Sequence, residues 1–366
     1  MDFGLSDEQR LLEETFRGWL AEHAPITRLR ELIENEGYDR ALWTGLAELG
    51  AAGVLIPERF GGSELSLLDA VLVAQALGEA VTPTPFLGSA VLAPIALLEA
   101  GSAEQQESLL PRIVSGELVV GVALTEVVNR REGAGVELRD GTLHGKALIA
   151  IDAPGADKLL VAAGADALLL VAAGAPGLTI ERLKTVDDTR RTAELLFDGV
   201  RPEAVLGDAA SAARAIARML DAGRVVLAAD TLGACDAMLD QAVKYAKQRE
   251  QFGRVIGSFQ AVKHMCAEQA AHIEPARSLL WYAAHAGDAL PEEASLMAAH
   301  AKALLSEVGR DVATTTTEVH GGVGFTDEQN LHFWFKRIGL DRHLLGGPDL
   351  LRANAAELQG FSPIPG

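Results

Sequence analysis

The sequence predicts a mainly α-helical protein with an all-β insert, ordered helices, strands, helices. Apolar residues recur at helical spacing in the first and last thirds of the chain. Between them, residues 119–206 break into short apolar or alternating runs separated by Gly, Pro, Asp and Asn turns. A length of 366 residues also exceeds one small core, so two or three domains are expected.

The first region, 1–118, opens with Ser6 and Gln9 as a capping box, followed by Leu11, Leu12, Phe16, Trp19 and Leu20 at helical spacing. Leu42, Trp43, Leu46 and Leu49 repeat that pattern before Gly50. A Gly-Gly loop then leads to a long buried helix with Ser66 as N-cap, which Pro83 and Pro85 break, and another apolar helix runs from about Gly88 to Leu98. In the second region, 119–206, VVGVALTE, GTLHGKALIAID, KLLVAAG, ALLLVAA, LTIERL and TAELLFDGV read as strands. The third region, 207–366, is helical again: Ala209–Leu220, Gly223–Gln248, Gln260–Gly287 and Ala294 to about Glu318. Their wide Ala- and Leu-rich faces suit a helical bundle and subunit packing.

Hydrophobic residues make up 49% of the chain and charged residues 23%, as in ordinary globular proteins. The formal charge of −19 argues against nucleic acid and anionic membranes as partners, while leaving room for a small anion in a local basic pocket. Cys235 and Cys266 form no disulfide or metal-ligand pattern, which fits a reducing cytoplasm. The acidic N-terminus, MDFGLSDEQR, does not have the make-up of a signal peptide. No apolar run is long enough to insert in a membrane.

The stretch YAKQREQFGRVIGSFQAVKHM, Tyr245–Met265, is chemically the most informative. It opens as helix through Gln251, breaks at Phe252-Gly253 and resumes as helix after Gly257. Arg249 at the break can fork two N–H bonds onto a phosphate or carboxylate. Gly253 and Gly257 allow close approach of backbone to a ligand. Gln260 and His264 lie one turn apart on the next helix. The alternative is a plain helix–turn–helix joint with a surface arginine.

The chain resembles the acyl-CoA dehydrogenases over essentially its full length. LSDEQRLL, the IPERFGG loop, YAKQREQFG…IGSFQAVKH and EVHGGVGFTDE carry the resemblance. It implies an N-terminal helical domain, a β-barrel-like middle domain and a C-terminal four-helix bundle. It also implies FAD as cofactor and desaturation of an acyl-CoA thioester by a Glu base and the flavin. Electrons then pass to an electron-transferring flavoprotein. In the family each flavin lies at a subunit interface, where a neighbouring chain clamps its pyrophosphate and adenosine. By that resemblance Arg249, Gln251, Phe252 and Gln260 match the clamp, and Glu318, His320, Gly321 and Gly322 occupy a Gln-x-x-Gly-Gly loop. Glu318 departs from the usual Gln, and a carboxylate beside two phosphates is repulsive unless it meets a hydroxyl or a basic group.

The other half of the family's site departs further. Only Thr125 and Glu126 remain of the usual TEPxxGSD loop. The segment expected to present an aromatic and a hydroxyl to the flavin reads Ile149, Ala150, Ile151, Asp152, which suits a buried apolar strand. Glycines stand at both family positions for the base, Gly346 and Gly223, and glycine cannot abstract a proton. Asp349, one helical turn past Gly346, is a fallback base. Asp221 and Arg224 are candidate substrate contacts or an ion pair. This division predicts a non-catalytic subunit of a heterotetrameric acyl-CoA dehydrogenase that completes the flavin site of a catalytic partner. A steroid-type acyl-CoA is the favoured substrate, by analogy. The alternatives are a homo-oligomeric enzyme with a relocated base (Asp349 or Glu126) and a flavin-free structural or regulatory homologue.

Overall fold

Ser6 starts the first helix as its sequence predicts. In the computed structural model its hydroxyl accepts the Gln9 N–H at 3.2 Å while the Gln9 side chain accepts the Ser6 N–H at 3.0 Å. The structure describes residues 4–34, 38–129 and 131–361. Met1–Phe3 of the acidic N-terminus, Arg130 of the TEVVNRREGAG loop and Ser362–Gly366 of the third region lie outside the described residues.

Helices α1 (Asp7–His23), α2 (Leu29–Glu34), α3 (Arg40–Glu48) and α4 (Leu67–Glu79) come first. The turn expected as helix from Gly88 begins earlier, as a π-helical segment over Phe86–Leu92, and leads into α5 (Ala93–Ala100) and α6 (Ala103–Val114). The β region holds β1 (Val120–Ala123), a short α7 (Thr125–Val128), β2 (Gly135–Arg139), β3 (Thr142–Ile151), β4 (Lys158–Ala162), β5 (Leu168–Ala172), β6 (Leu178–Arg182), β7 (Thr192–Val200) and β8 (Ala204–Val205). Their order is β6-β7-β3-β1-β4-β5-β8 with β2 also on β3, so the described strands make an open path and not a closed ring. β1 and β4 pair in parallel; the other pairs are antiparallel.

The last region comprises α8 (Ala209–Gln248), the short strands β9 (Glu250–Gln251) and β10 (Arg254–Val255), α9 (Gln260–Ala289), α10 (Pro291–His320), α11 (Leu331–Asp341) and α12 (Pro348–Leu358). The break expected between Leu220 and Gly223 is absent, because α8 runs unbroken for 40 residues. Gly223 is buried between Ala222 and Arg224, and tertiary packing overrides its low helix propensity.

The chain divides into two compact units. One comprises Met1–Thr27, Val71–Thr82 and Arg224–Gly366; the other comprises Arg28–Ala70 and Pro83–Gly223. In the second unit, Tyr38 and Asp152 form a buried polar centre. The Tyr38 hydroxyl donates to the Asp152 carboxylate, which also accepts the Gly88 N–H at 2.8 Å. Burial, then the adjoining carboxylate, raise the Tyr38 pKa well above its ordinary value, so the hydroxyl stays a donor.

In the first unit α8 is the hub. Arg337 of α11 grips Asp230 of α8 with two bonds of 2.8 and 2.6 Å and donates a third, of 3.2 Å, to the Thr82 carbonyl. Arg277 of α9 forks onto Asp236 at 2.8 and 3.2 Å. α10 packs against α9, α11 and α12. Glycines set the approach of α4 to α8. A Cβ at Gly78 would sit 2.1 Å from the Asp230 carbonyl oxygen, and one at Gly233 would sit 1.9 Å from that of Gln75. Gly78→Ala is therefore expected to lower unfolding stability by about 1–3 kcal/mol or more, because two helix backbones must separate. Gly18→Ala is the contrast: nothing lies within 4 Å on that exposed helix face, so a gain of roughly 0.5–1 kcal/mol is expected. Urea titration of both variants checks the opposite signs.

Candidate functional site

Three segments of the first unit meet on one small apolar core. Ala242 and Ala246 of α8 pack with Val319 of α10, and Ile256, Val262, Met265 and Cys266 close around them. The end of α8, the start of α9 and the end of α10 are thereby held together. Sequence separation hides this convergence, but every clamp residue expected from the sequence lies in or beside these segments.

The helix expected through Gln251 ends at Gln248. Arg249 still donates its N–H to the Tyr245 carbonyl at 2.8 Å, and its own carbonyl accepts Ile256 N–H at 2.7 Å, closing the base of a hairpin. Arg254 pairs with Gln251 and Val255 with Glu250, leaving Phe252-Gly253 as a two-residue turn. Both turn residues have positive φ, 57° and 77°, as a type I′ turn requires. Glycine suits that region; phenylalanine does not, and its strain costs about 1–2 kcal/mol. Phe252 is nevertheless 92% exposed. Its ring meets Phe259 edge-on at 6.1 Å, while the Arg254 guanidinium lies 4.0 Å from the centre of the Phe259 ring.

Arg249 is exposed, and its side chain has no partner among the described residues. Gln251 is exposed and bonds only a local carbonyl, that of Glu250, at 2.7 Å. Gln260, the first residue of α9, and His264 are exposed one turn apart. Gly257 has a different role from the one expected. A Cβ there would lie 2.8 Å from the Ala246 carbonyl, so this glycine admits α8 and not a ligand. Gly253 has nothing within 4 Å.

At the end of α10, Glu318 is exposed and Gly321 turns the chain at φ 65°, donating its N–H to the Glu318 carbonyl. Cβ positions at Gly321 and Gly322 meet nothing within 4 Å, so their backbone is open to a ligand. Gly324 is again internal: a Cβ there would lie 2.7 Å from the Thr317 carbonyl oxygen. His320 differs from its expected place in the clamp. It is 5% exposed, stacks on Tyr245 at 4.6 Å, and its Nδ1 lies 2.7 Å from the Thr316 carbonyl. Burial lowers its pKa and favours the neutral ring. His320 thus supports the glycine turn from beneath. The exposed Phe325, beyond that turn, was not singled out from sequence, where an aromatic after glycines reads as ordinary turn packing.

The residues expected around substrate are arranged otherwise. Arg224 is buried, and its Nε donates to the Leu345 carbonyl at 3.1 Å, so it anchors the loop between α11 and α12. Asp221 is half-buried one turn away on α8. Gly346 follows Leu345 with φ 114° and is itself buried. That torsion is one L side chains rarely adopt, so a carboxylate is excluded there by backbone as well as by sequence. Asp349 stands fully in solvent in the first turn of α12, 3.9 Å from Arg352. A base for a weakly acidic carbon must be dried to gain basicity, and this carboxylate is a helix-dipole partner instead.

In the second unit, Thr125 and Glu126 are turned onto their own sheet. The Thr125 hydroxyl donates to the Ile149 carbonyl at 2.9 Å, and the Glu126 carboxylate accepts the Leu148 N–H at 2.7 Å. Those two β3 groups lie in the register shift between Ala147 and Ala150, where pairing with β7 is interrupted. Ala150, Ile151 and Asp152 are buried, as an apolar strand end should be, while Leu148 and Ile149 are half-buried.

Comparison with known proteins follows the same lines. Residues 213–358 match the model for the acyl-CoA dehydrogenase C-terminal domain, and residues 6–117 match that for the N-terminal domain. The chain is 34% identical over 357 residues to acyl-CoA dehydrogenase IpdE2 of Mycolicibacterium smegmatis, covering 97% of this chain and 100% of that one. It is 33% identical over 335 residues to acyl-CoA dehydrogenase FadE27 of Mycobacterium tuberculosis, covering 87% and 88%. Among solved structures, a variant of the Tcur3481-Tcur3483 steroid ACAD superposes with a TM-score of 0.87 at 33% identity, covering 97% and 98%.

Proposed function

This chain belongs to the acyl-CoA dehydrogenase family, and from that premise we propose that it is a subunit completing the flavin site of a catalytic partner. The family consists of FAD-dependent oxidoreductases acting on CH–CH bonds. When bound, FAD supplies the hydride acceptor for α,β-desaturation of an acyl-CoA thioester. The exposed half of the site fits the pyrophosphate end of that cofactor. A guanidinium with no partner among the described residues, glycine backbone at Gly321 and Gly322 with open space around it, and a helix N-terminus at Gln260 are features that suit phosphates. The half expected to hold the flavin ring does not fit, because Thr125, Glu126 and Asp152 are committed to their own backbone and to Tyr38.

The observation that carries the reading is Phe252. A strained aromatic, 92% exposed beside an arginine with no partner among the described residues, keeps a single edge-on ring contact, with Phe259, in its own chain. A neighbour that covered it would bury the rest of the ring and offset the strain. Arg249, Gln251, Phe252, Gln260, Gly321 and Gly322 therefore reach outward to a cofactor held by another chain, with His320 beneath them. The partner supplies the base that Gly346 and Gly223 cannot. The steroid ACAD resemblance favours a bulky steroid-type acyl-CoA, with electrons passing to an electron-transferring flavoprotein.

Visible spectroscopy tests the subunit reading. The chain purified alone is expected to be colourless, and to become yellow and active when co-expressed with a family member that carries the Glu. Stoichiometric flavin in the lone chain, bleached by acyl-CoA, would show a self-sufficient enzyme. Lack of flavin even with the partner would show a structural homologue.

A further inference from the structure

We propose that Tyr38 and Asp152 form a lock that holds Phe86–Leu92 in its π-helical register, and that the segment slips to the α-helical register when the lock is removed. π-Helical turns are rare and occur mostly as bulges inside α-helices. Here seven buried residues take that form ahead of α5, and the Ala93 N–H donates to the Gly88 carbonyl, five residues back. Because the α register is ordinarily the more stable one, contacts outside the helix backbone must favour the wider turn.

One cause is local. Pro94 has no N–H to offer the Ala90 carbonyl, and its ring would crowd that carbonyl in a continuous α-helix. The other is the docking of the first turn. Pro85, the N-cap, has no side-chain acceptor for the open N–H groups there. Asp152, 64 residues away in sequence, supplies one: it accepts the Gly88 N–H at 2.8 Å on one oxygen and the Tyr38 hydroxyl on the other. A negative charge at a helix N-terminus also suits the helix dipole. Next to it, the Ser89 hydroxyl oxygen accepts the Val120 N–H of β1 at 2.9 Å. A Cβ at Gly88 would lie 2.6 Å from the Val120 carbonyl oxygen and 3.1 Å from the Asp152 carboxylate, so glycine is needed for this approach.

The lock is set under strain. Asp152 is 1% exposed with φ 56°, a conformation that persists only where the surroundings over-determine it. Its N–H is tied to the Arg191 carbonyl at 2.8 Å, and its carboxylate to Tyr38 and Gly88. Removing one residue from the wide turn would rotate Phe86–Ser89 by about 100° around the helix axis relative to α5. That rotation carries the Gly88 N–H away from Asp152 and the Ser89 hydroxyl away from Val120. The lock and the α register therefore exclude each other, which makes the element two-state and not continuously deformable. Phe86 and Leu87, both buried, are the side chains that a slip re-aims.

The test removes the proline from the full chain so that the lock alone decides. Pro94→Ala by itself is expected to keep the π register, and Pro94→Ala with Asp152→Ala to take the α register. Crystal structures read the difference directly: the Ala93 N–H meets the Gly88 carbonyl in the first and the Ser89 carbonyl in the second. A slip in Pro94→Ala alone, or a π register that survives the double substitution, overturns the proposal. Hydrogen exchange of the Gly88 amide is the second measurement, and it stands if the double variant does not fold. In the Pro94→Ala background, Tyr38→Phe and Asp152→Asn (which keeps one acceptor oxygen) are each expected to speed that exchange at least about tenfold. Exchange unchanged in both variants overturns the lock.

Discussion

Arg249→Ala is expected to strip flavin from the complex and leave the fold intact. The side chain is exposed and has no partner among the described residues, so its removal should change unfolding stability by no more than about 0.5 kcal/mol. In the proposed clamp, however, it would form charge-assisted forked bonds to a pyrophosphate. Hydrogen bonds to charged groups contribute about 1.5–3 kcal/mol, so affinity should fall roughly 10- to 150-fold. Arg249→Lys keeps the charge but loses the fork and should fall between. The measurement is the ratio of flavin absorbance to protein absorbance after gel filtration, with thermal melts as the control for folding. A full complement of flavin in the alanine variant would remove Arg249 from the clamp.

The second large effect concerns stability. Asp230→Ala leaves Arg337 buried beneath α8 without its carboxylate. Both side chains are almost wholly inaccessible, at 3% and 5%, so water cannot take over. Breaking a buried pair from one side costs about 3–5 kcal/mol. Replacing both residues with apolar ones, Asp230→Leu with Arg337→Met, should recover a large part of that loss. The recovery is incomplete because the Thr82 carbonyl also loses a donor. Denaturant midpoints of the single and double variants decide the matter. A double variant less stable than Asp230→Ala would mean that the pair contributes more than the relief of a stranded charge.

Much of this was legible in the sequence because local rules and tertiary demands agreed. Ser6 and Gln9 cap α1 as read, and the change of period at residue 119 marks the sheet. Arg249 was singled out by its place at a helix break, and Gln260, Gly321 and Gly322 by the family motifs; the structure leaves all four exposed. What escaped depends on distant contacts. Gly223 looked like a helix break, yet burial keeps α8 continuous. Gly257 looked like a ligand contact, yet it makes room for Ala246. His320 looked like a ligand group, yet Tyr245 covers it. Arg224 offered no sign that it would bind the Leu345 carbonyl, 121 residues away. The hairpin around Phe252 was missed because its strands have two residues each, too short to show alternation. The helix bearing Phe333, Trp334 and Arg337 was likewise passed over, although all three side chains are buried.

The loop at Gly346 bears on redesign. Its backbone stands at φ 114°, and Arg224 holds the preceding carbonyl. Glutamate placed at that position would meet a torsion that L side chains rarely adopt. Grafting a carboxylate there therefore calls for rebuilding residues 343–347 and releasing Arg224 in the same step, so a single substitution is not enough.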